Sequence, residues 1–211
     1  ITLRSGMVLD HETCSSTTVV VEATSGNATI RCAVSAVTSD VNEAPLMATS
    51  FDRTVQEGSE PGTVLDGPIV ASDPDLGQEL AFEIVAGELD AAEGFFRVGS
   101  CSGTLSVAKD GLNHEVKSSY QVKVRVTDNG LNPLSTDTVV TIAVENVNEP
   151  PEFQTALSTM SILENSGHGT EVGTVAATDG DPGDTLTYSL SKNFDNAFAI
   201  DASSGTVSVL A

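Results

Sequence analysis

Basic side chains, aromatic rings and long apolar stretches are all scarce in this chain of 211 residues. It carries 9 Lys and Arg against 30 Asp and Glu, which gives a formal net charge of −21. Nucleic acid repels such a polyanion and is excluded as a partner, and anionic membrane surfaces are disfavoured for the same reason. The apolar runs fall far short of the roughly 18 residues that cross a bilayer, and no secretory signal is present. Because the chain begins at Ile1 and ends inside a strand-like run, we expect a piece of a longer protein.

Trp is absent and aromatic residues make up 4% of the chain, whereas Val and Thr number 25 and 23. Such an excess of β-branched residues favours strands over helices. The three Cys residues are an odd number and cannot all pair within the chain. The turn signal at 25–27 predicts a hairpin in which Cys32 lies opposite about residue 20. Cys14 would then lie some six residues further along that strand, roughly 20 Å away. We therefore expect no disulfide between Cys14 and Cys32.

Four segments of the sequence recur in the same order at nearly constant spacing. Asn42 and Asn148 lie in related motifs 106 residues apart, and Asp73 and Asp179 have the same separation. The other two pairs recur at offsets of 103 and 102 residues, namely Leu9–Glu12 with Leu112–Glu115 and Phe96–Val107 with Phe198–Val209. Units of about 100 residues have the size of a single domain. The repeats predict the C-terminal part of one unit at 1–42, a complete unit at 43–148 and the N-terminal part of another at 149–211.

Apolar and polar residues alternate within these units. Tyr and Val alternate with Gln, Lys and Arg over 120–126, and 30–34 and 140–144 follow the same pattern. A period of two indicates strands with one buried face. Frequent turn signals without any helical pattern predict an all-β fold of tandem Greek-key, immunoglobulin-like β-sandwiches. The predicted core of the complete unit is Phe96, Leu105, Val107, Tyr120, Val122, Val124 and Val126.

Acidic residues gather where the predicted strands end. Loops collect at the two poles of a sandwich, so stacking units end to end brings seven carboxylates together. They are Asp10, Glu12, Asp40, Glu43, Asp73, Asp75 and Asp128. Carboxylates this close repel one another strongly unless a cation lies between them. Ca²⁺ suits the group best, because it accepts many oxygen ligands in irregular geometry, whereas Mg²⁺ requires a strict octahedron.

These motifs resemble the calcium-binding motifs of cadherin repeats. Asp40–Pro45, Asp-Val-Asn-Glu-Ala-Pro, resembles the connector of that family, and Leu9–Glu12, Asp73–Asp75 and Val126–Gly130 resemble its loop motifs. The resemblance covers essentially the whole chain and includes several motifs in a fixed order. It implies cadherin-like sandwiches joined by connectors that bind Ca²⁺, with up to about three ions at each junction.

The resemblance also implies a set of ligands for each junction. The first junction would use Asp10, Glu12, Asp40, Asn42, Glu43, Asp73, Asp75 and Asp128, with the backbone carbonyls of Val41 and Ala44. The second junction would use Glu57, Glu115, Asn148, Glu149, Asp179 and Asp181. Glu164 would serve a third junction.

The chain departs from the family pattern at several of these positions. Glu43 and Glu149 stand where the connector usually has Asp, and Asn113 and Asn146 also replace Asp. Thr24 stands where the complete unit has Asp128. Because ligand charge tunes calcium affinity, we expect the second junction to bind Ca²⁺ more weakly than the first.

Motifs that imitate active sites do not predict an enzyme. Gly99–Gly103 is similar to a nucleophile elbow, but its counterpart at 201–205 contains no thiol. The His-Glu pairs at 11–12 and 114–115 lack the second His of a zinc-binding helix.

The resemblance instead implies calcium-dependent cell adhesion on the extracellular side of a plasma membrane. The partners would be other cadherin-like chains, in homophilic contacts, or other cell-surface ligands. The alternative is a calcium-stiffened spacer in a large secreted or surface protein that carries another binding or catalytic domain. Glu in the connector favours this alternative.

Overall fold

The structure is a computed structural model that describes residue 6 and the ranges 8–155 and 159–210. Its regular elements are β-strands, apart from two short 3₁₀ helices at Leu89–Glu93 and Phe194–Asn196. The all-β fold class predicted from the sequence is confirmed. Within the described ranges, no helix has the length and apolar character needed to cross a membrane.

The strands are numbered β1 to β15 in chain order. Their bounds are β1 Ser16–Ser25, β2 Ala28–Val37, β3 Leu46–Met47, β4 Ser50–Gln56, β5 Ala71–Ser72, β6 Ala81–Ile84, β7 Phe96–Val98, β8 Leu105–Val107, β9 Ser119–Thr127, β10 Ser135–Glu145, β11 Glu152–Phe153, β12 Glu171–Thr174, β13 Ala177–Thr178, β14 Phe198–Ile200 and β15 Thr206–Val209. Contacts group the described residues into two compact units. Unit 1 contains the chain up to Leu112 together with Lys117–Glu145, and unit 2 contains Asn113–Val116 and the chain from Asn146 onward.

Strands β1 and β2 form an antiparallel hairpin in unit 1. Gly26 and Asn27 are the two loop residues, and Gly26 has a φ of 55°. Gly at the first position of a two-residue loop adopts positive φ without steric cost. Cys32 pairs with Val21, one residue from the centre of the position predicted near residue 20. The reason is that the hairpin closes between residues 26 and 27 and is not centred on Gly26. The three Cys side chains are exposed and unpaired in the described chain.

The main sheet of unit 1 has the strand order β4-β10-β9-β6. Strand β10 pairs parallel with β4 and antiparallel with β9, and β6 pairs antiparallel with β9. Two short antiparallel ladders, β3 with β5 and β7 with β8, complete the unit. Side chains on β9 alternate strictly between buried and more exposed positions, as the period of two predicted.

The core of unit 1 is a single cluster of buried apolar side chains. It joins residues of β9 and β10 to residues of β7 and β8. The seven predicted core residues are all buried, which confirms the prediction: Phe96, Leu105, Val107, Tyr120, Val122, Val124 and Val126. Full burial of one Val or Leu side chain contributes roughly 1.5–3 kcal/mol. This cluster therefore fixes the strands whose ends carry the acidic loops.

The segment that imitates a nucleophile elbow is a tight turn before β8. The N–H of Gly103 donates to the carbonyl of Gly99 at 2.9 Å, and Gly103 has a φ of 63°. A Cβ on Gly103 would overlap the backbone carbonyl of Ile69. Backbone packing therefore requires Gly at position 103, and this requirement accounts for the Gly without a catalytic role.

Unit 2 repeats this local structure. Strands β12, β15 and β14 form a three-stranded antiparallel sheet, and β11 pairs with β13. Gly205 has a φ of 70°, and a Cβ there would overlap the carbonyl of Val175. The same turn with the same close approach thus precedes β15 in unit 2 and β8 in unit 1.

Candidate metal centre

Three carboxylates from distant parts of the sequence converge in unit 1. Glu12 lies before β1, Glu43 lies in the connector before β3, and Asp75 follows β5. Each offers an oxygen within 4.8 Å of an oxygen of the other two. At an effective dielectric near 20, two unit charges at that distance repel by about 3 kcal/mol before screening by solvent. The three carboxylates therefore favour a bound cation that offsets their mutual repulsion.

Asp75 is the buried member of this cluster, with 5% of its surface exposed. Its Oδ2 accepts the N–H of Glu43 at 2.8 Å, which ties the connector to the loop after β5. Its own N–H donates to Asp73 Oδ1 at 2.9 Å. Asp75 Oδ1 and Asp73 Oδ2 are buried and have no hydrogen-bond partner within the described part of the chain. A buried carboxylate oxygen without a donor is costly, so these two oxygens are suited to a metal ion.

Asp128, which follows β9, is buried but fully hydrogen-bonded. Its Oδ1 accepts the N–H of Gly130 at 3.0 Å, and its Oδ2 accepts the N–H of Leu134 at 3.0 Å. Asn42 Nδ2 also donates to Asp128 Oδ2 at 3.2 Å. Asp128 thus folds the loop after β9 around its own carboxylate and places Asn42 beside it.

Gln78 holds the connector and the acidic loop together through one amide group. Its Nε2 donates to Asn42 Oδ1 at 2.6 Å and to Asp75 Oδ2 at 2.8 Å. Both hydrogens of this NH₂ group are therefore directed at acceptors in the first cluster. Gln78 was not predicted as a functional residue, because an amide three residues after Asp75 belongs to none of the acidic motifs in the sequence.

Asp10 and Glu12 differ in their electrostatic environments. The carboxylate of exposed Asp10 accepts the N–H and the hydroxyl of Thr13 at 3.0 and 2.9 Å, and these bonds lower its pKa. At Glu12 a bond from its own backbone N–H lowers the carboxyl pKa. Desolvation and the negative charges of Asp40 and Asp75 outweigh that bond, so the pKa of Glu12 lies above its ordinary value. Repulsion from neighbouring carboxylates therefore contributes to the raised pKa of Glu12.

A second acidic cluster lies entirely in unit 2. Asp179, Asp181 and Asp184 each offer an oxygen within 4.8 Å of the other two. The backbone bonds of the first cluster recur here, with the N–H of Asp181 donating to Asp179 Oδ1 at 3.0 Å and the N–H of Glu149 donating to Asp181 Oδ2 at 2.8 Å. Asp181 is 7% exposed, and its Oδ1 has no hydrogen-bond partner among the described residues. The two repeats therefore fold their acidic loops in the same way.

The remaining predicted ligands of the second junction have distinct environments. Glu115 and Glu149, both in unit 2, offer oxygens within 4.8 Å of each other. Both carboxylate oxygens of Glu115 are buried without a hydrogen-bond partner in the described ranges. Glu57 is buried at the end of β4 in unit 1. The side chain of Asn148 donates to the carbonyl of Glu149 at 3.2 Å, and Glu164 is exposed.

Gly180 explains how Glu149 approaches the acidic loop of unit 2. A Cβ on Gly180 would lie 2.7 Å from Glu149 Oε2, so the absence of a side chain leaves room for that carboxylate.

Asp184 is the member of the Asp179–Asp181–Asp184 cluster that was not predicted from the sequence. The repeat offset of 106 residues aligns Asp184 with Gln78, but spacing alone does not show that the Asp184 carboxylate approaches Asp179 and Asp181.

The chemistry of these donors fits Ca²⁺. Carboxylate oxygens dominate both clusters. Among the described residues, the buried side-chain oxygens without donors belong to Asp73, Asp75 and Gln78 in unit 1 and to Asp181 and Glu115 in unit 2. Hard divalent cations prefer such oxygens, and Ca²⁺ tolerates the irregular geometry of ligands from separate loops. Neither cluster in the described ranges includes a Cys or His ligand, which are the ligands that Zn²⁺ prefers.

Comparisons with known proteins identify relatives for this arrangement. The sequence model of the family described as Cadherin domain matches residues 51–145. Mouse Protocadherin Fat 2 is 34% identical and aligns with 83% of this chain, which corresponds to 4% of the relative. Human Protocadherin-16 is 32% identical, over 96% of this chain and 6% of its own length. The chain thus spans only a small fraction of these relatives.

Solved structures agree with the sequence relatives. The crystal structure of mouse Cadherin-23 EC22-24 covers 96% of this chain and 66% of its own chain, with a TM-score of 0.69 and 28% sequence identity. The structure of the Protocadherin Gamma B2 extracellular cadherin domains 3-6 gives a TM-score of 0.64 at 25% identity, covering 96% and 52% of the two chains. Proteins of this family are adhesion proteins and not enzymes, and their repeats are extracellular. The chain therefore belongs to the cadherin family, with cadherin repeats that have a β-sandwich fold.

Proposed function

We propose that the acidic cluster of unit 1 binds Ca²⁺ and thereby fixes the connector 40–45 against its neighbouring loops. The buried oxygens of Asp73 and Asp75 that receive no donor from the described residues carry this proposal. They lie in the loop whose Asp75 already receives the connector N–H of Glu43. A divalent ion neutralises the converging carboxylates and turns a repulsive hinge into a shared ion cage.

The full proposed ligand set is the one that the cadherin resemblance implies. In unit 1 the cation would be held by Glu12, Glu43, Asp73 and Asp75, with Asp10, Asp40, Asn42 and Asp128 as further or supporting ligands. At the next junction it would be held by Glu57, Glu115, Asn148, Glu149, Asp179 and Asp181. The three-part division into repeats at 1–42, 43–148 and 149–211 is part of the same proposal.

At the level of the parent protein, we propose a calcium-stiffened adhesive array on the extracellular side of a plasma membrane. Relatives named protocadherins support this role, and other cadherin-like chains are the proposed homophilic partners. Beads coated with this chain should aggregate with Ca²⁺ and disperse with chelator if the chain itself is adhesive. Calcium binding without aggregation would favour the alternative, a calcium-stiffened spacer.

The calcium proposal is tested by thermal unfolding of the whole chain, first loaded with Ca²⁺ and then treated with excess chelator. Binding to the folded state alone adds about 2.7 kcal/mol when free Ca²⁺ is a hundredfold above the dissociation constant. The melting temperature should therefore fall on chelation and recover when Ca²⁺ is restored. An unchanged melting curve would contradict the proposal, and the same titration with Mg²⁺ tests selectivity.

A further inference from the structure

Gln78 and Asp184 occupy the same position in successive repeats, but only the Gln78 side chain carries hydrogen-bond donors. Each lies three residues after the buried Asp of its loop, with backbone N–H groups that face the carbonyls of Asp75 and Asp181 at 3.5 and 3.4 Å. Gln78 presents an amide donor to the acidic cluster, whereas Asp184 presents a carboxylate that can only accept. The local fold is the same, so the difference lies in the side chain alone.

The amide of Gln78 partly neutralises the cluster of unit 1 with protein hydrogens. Its NH₂ group satisfies Asp75 Oδ2 and Asn42 Oδ1 at once. In unit 2 the corresponding carboxylate adds a third negative charge within 4.8 Å of Asp179 and Asp181. Asp181 is more than nine-tenths buried, and its Oδ1 finds no donor in the described chain. Burying such an oxygen beside two further carboxylates is unfavourable without a cation.

We propose that Asp184 is an additional cation ligand of the Asp179–Asp181 loop and raises the affinity of unit 2 for Ca²⁺. The inference rests on the proposed calcium function and specifies which residue sets the strength of this site. Unit 2 has Asn113 and Asn146 where the family motifs have Asp, and counting these lost charges predicts weaker calcium binding at the second junction. The carboxylate of Asp184 restores one negative charge near this site. The residue three positions after the buried Asp therefore sets how strongly each repeat depends on the cation. An amide there supplies hydrogen-bond donors to the acidic loop, whereas a carboxylate adds a charge that only a cation neutralises.

The exposure of the two residues fits these roles. Asp184 is exposed, so it can reach a cation at the edge of the loop and retain water on its far side. Gln78 is half-buried and is held by its two acceptors. Because ligand charge tunes calcium affinity in oxygen cages, losing one of three carboxylates should weaken binding by about tenfold.

The test exchanges the two side chains in the whole chain and follows Ca²⁺ titrations by residue-resolved NMR. In Asp184→Gln, the backbone N–H signals of 179–181 and 183–184 should respond at about tenfold higher Ca²⁺, while those of 73 and 75–78 respond as in the parent. Glu171→Gln is the matched control, because it removes one exposed charge from unit 2 outside the cluster and should leave both responses unchanged. Asp184→Asn provides a shorter replacement should the longer amide disturb the loop.

The reciprocal variant Gln78→Asp should lower the melting temperature in chelator and enlarge the rise that Ca²⁺ produces. If the parent chain shows no Ca²⁺ response at any residue, the calcium function itself fails. If the parent responds but Asp184→Gln and Asp184→Asn titrate like Glu171→Gln, the calcium function stands and the role of Asp184 is refuted.

Discussion

Single carboxylates in these loops do two different jobs. Asp128 and Asp10 use their oxygens to accept backbone N–H groups and so shape their own loops. Asp73 and Asp75 form part of their loop in the same way, but each also keeps one buried oxygen without a donor in the described chain. The first kind of carboxylate builds the loop, and the second kind is available to a cation.

Asp75→Asn should remove most of the calcium-induced stabilisation of unit 1. The amide oxygen can still accept the N–H of Glu43, so the loop retains its main tie to the connector. In chelator the variant should be at least as stable as the parent, because one of three converging charges is gone. Thermal melts with and without Ca²⁺ measure both effects. Asp66→Asn, an exposed Asp outside the cluster, is the control, and an equal calcium shift in both variants would contradict the prediction.

Asp201 should titrate far below an ordinary Asp. Its carboxylate accepts the N–H groups of Ser203 and Ser204 and the hydroxyl of Ser203, and these bonds lower its pKa from 3.8 to about 2. A depressed folded-state pKa adds stability that is complete above the unfolded pKa and is lost as the pH falls toward 2. The stability advantage of the parent over Asp201→Asn should therefore shrink between about pH 4 and pH 2. Carboxyl NMR titration gives the pKa directly, and an ordinary value would refute the proposed turn geometry.

At the scale of elements, the turn before β8 depends on backbone packing as well as on φ. Gly103→Ala should destabilise unit 1 by about 2 kcal/mol more than Gly67→Ala, since inserting an extra carbon into a packed site costs 1–3 kcal/mol. The two Gly residues have φ of 63° and 66°, so the conformational penalty is matched. Only Gly103 has a backbone atom, the Ile69 carbonyl, in the way, and no described atom lies within 4 Å of a Cβ on Gly67. Urea unfolding of the two variants measures the difference in the free energy of unfolding. Equal destabilisation would contradict the prediction and show that the backbone of the turn shifts to accommodate the added methyl group.

The elements also show where sequence patterns suffice. The alternation on β9 and β10 predicted the core, because a period of two leaves one face for burial. The hairpin register was predictable only to within one residue, since the turn signal at 25–27 does not say which two residues form the loop. Gln78 and Asp184 were missed because neither belongs to an acidic motif, and their role depends on hydrogen bonds and distances that spacing alone does not give.

At the scale of the whole molecule, the formal charge of −21 opposes compactness unless cations reduce it. Monovalent salt screens exposed charges over a Debye length of about 10 Å at 0.1 M. Calcium acts differently, because it enters the clusters and cancels charge where the carboxylates converge. Added salt and added calcium should therefore relieve part of the same repulsion, so their stabilising effects should not be additive.

We expect added NaCl to raise the melting temperature in chelator and to raise it much less once Ca²⁺ is saturating. Without calcium, salt screening relieves the repulsion around Glu12, Glu43 and Asp75, so an increase from about 0.01 to 0.15 M salt should stabilise the fold. With calcium bound, little of that repulsion remains for salt to screen. Calorimetry over a matrix of NaCl and Ca²⁺ concentrations measures the coupling, with a choline salt as a control for specific sodium binding. A salt effect of equal size with and without Ca²⁺ would mean that the repulsion resides in the scattered surface charges and that the two clusters contribute little to it.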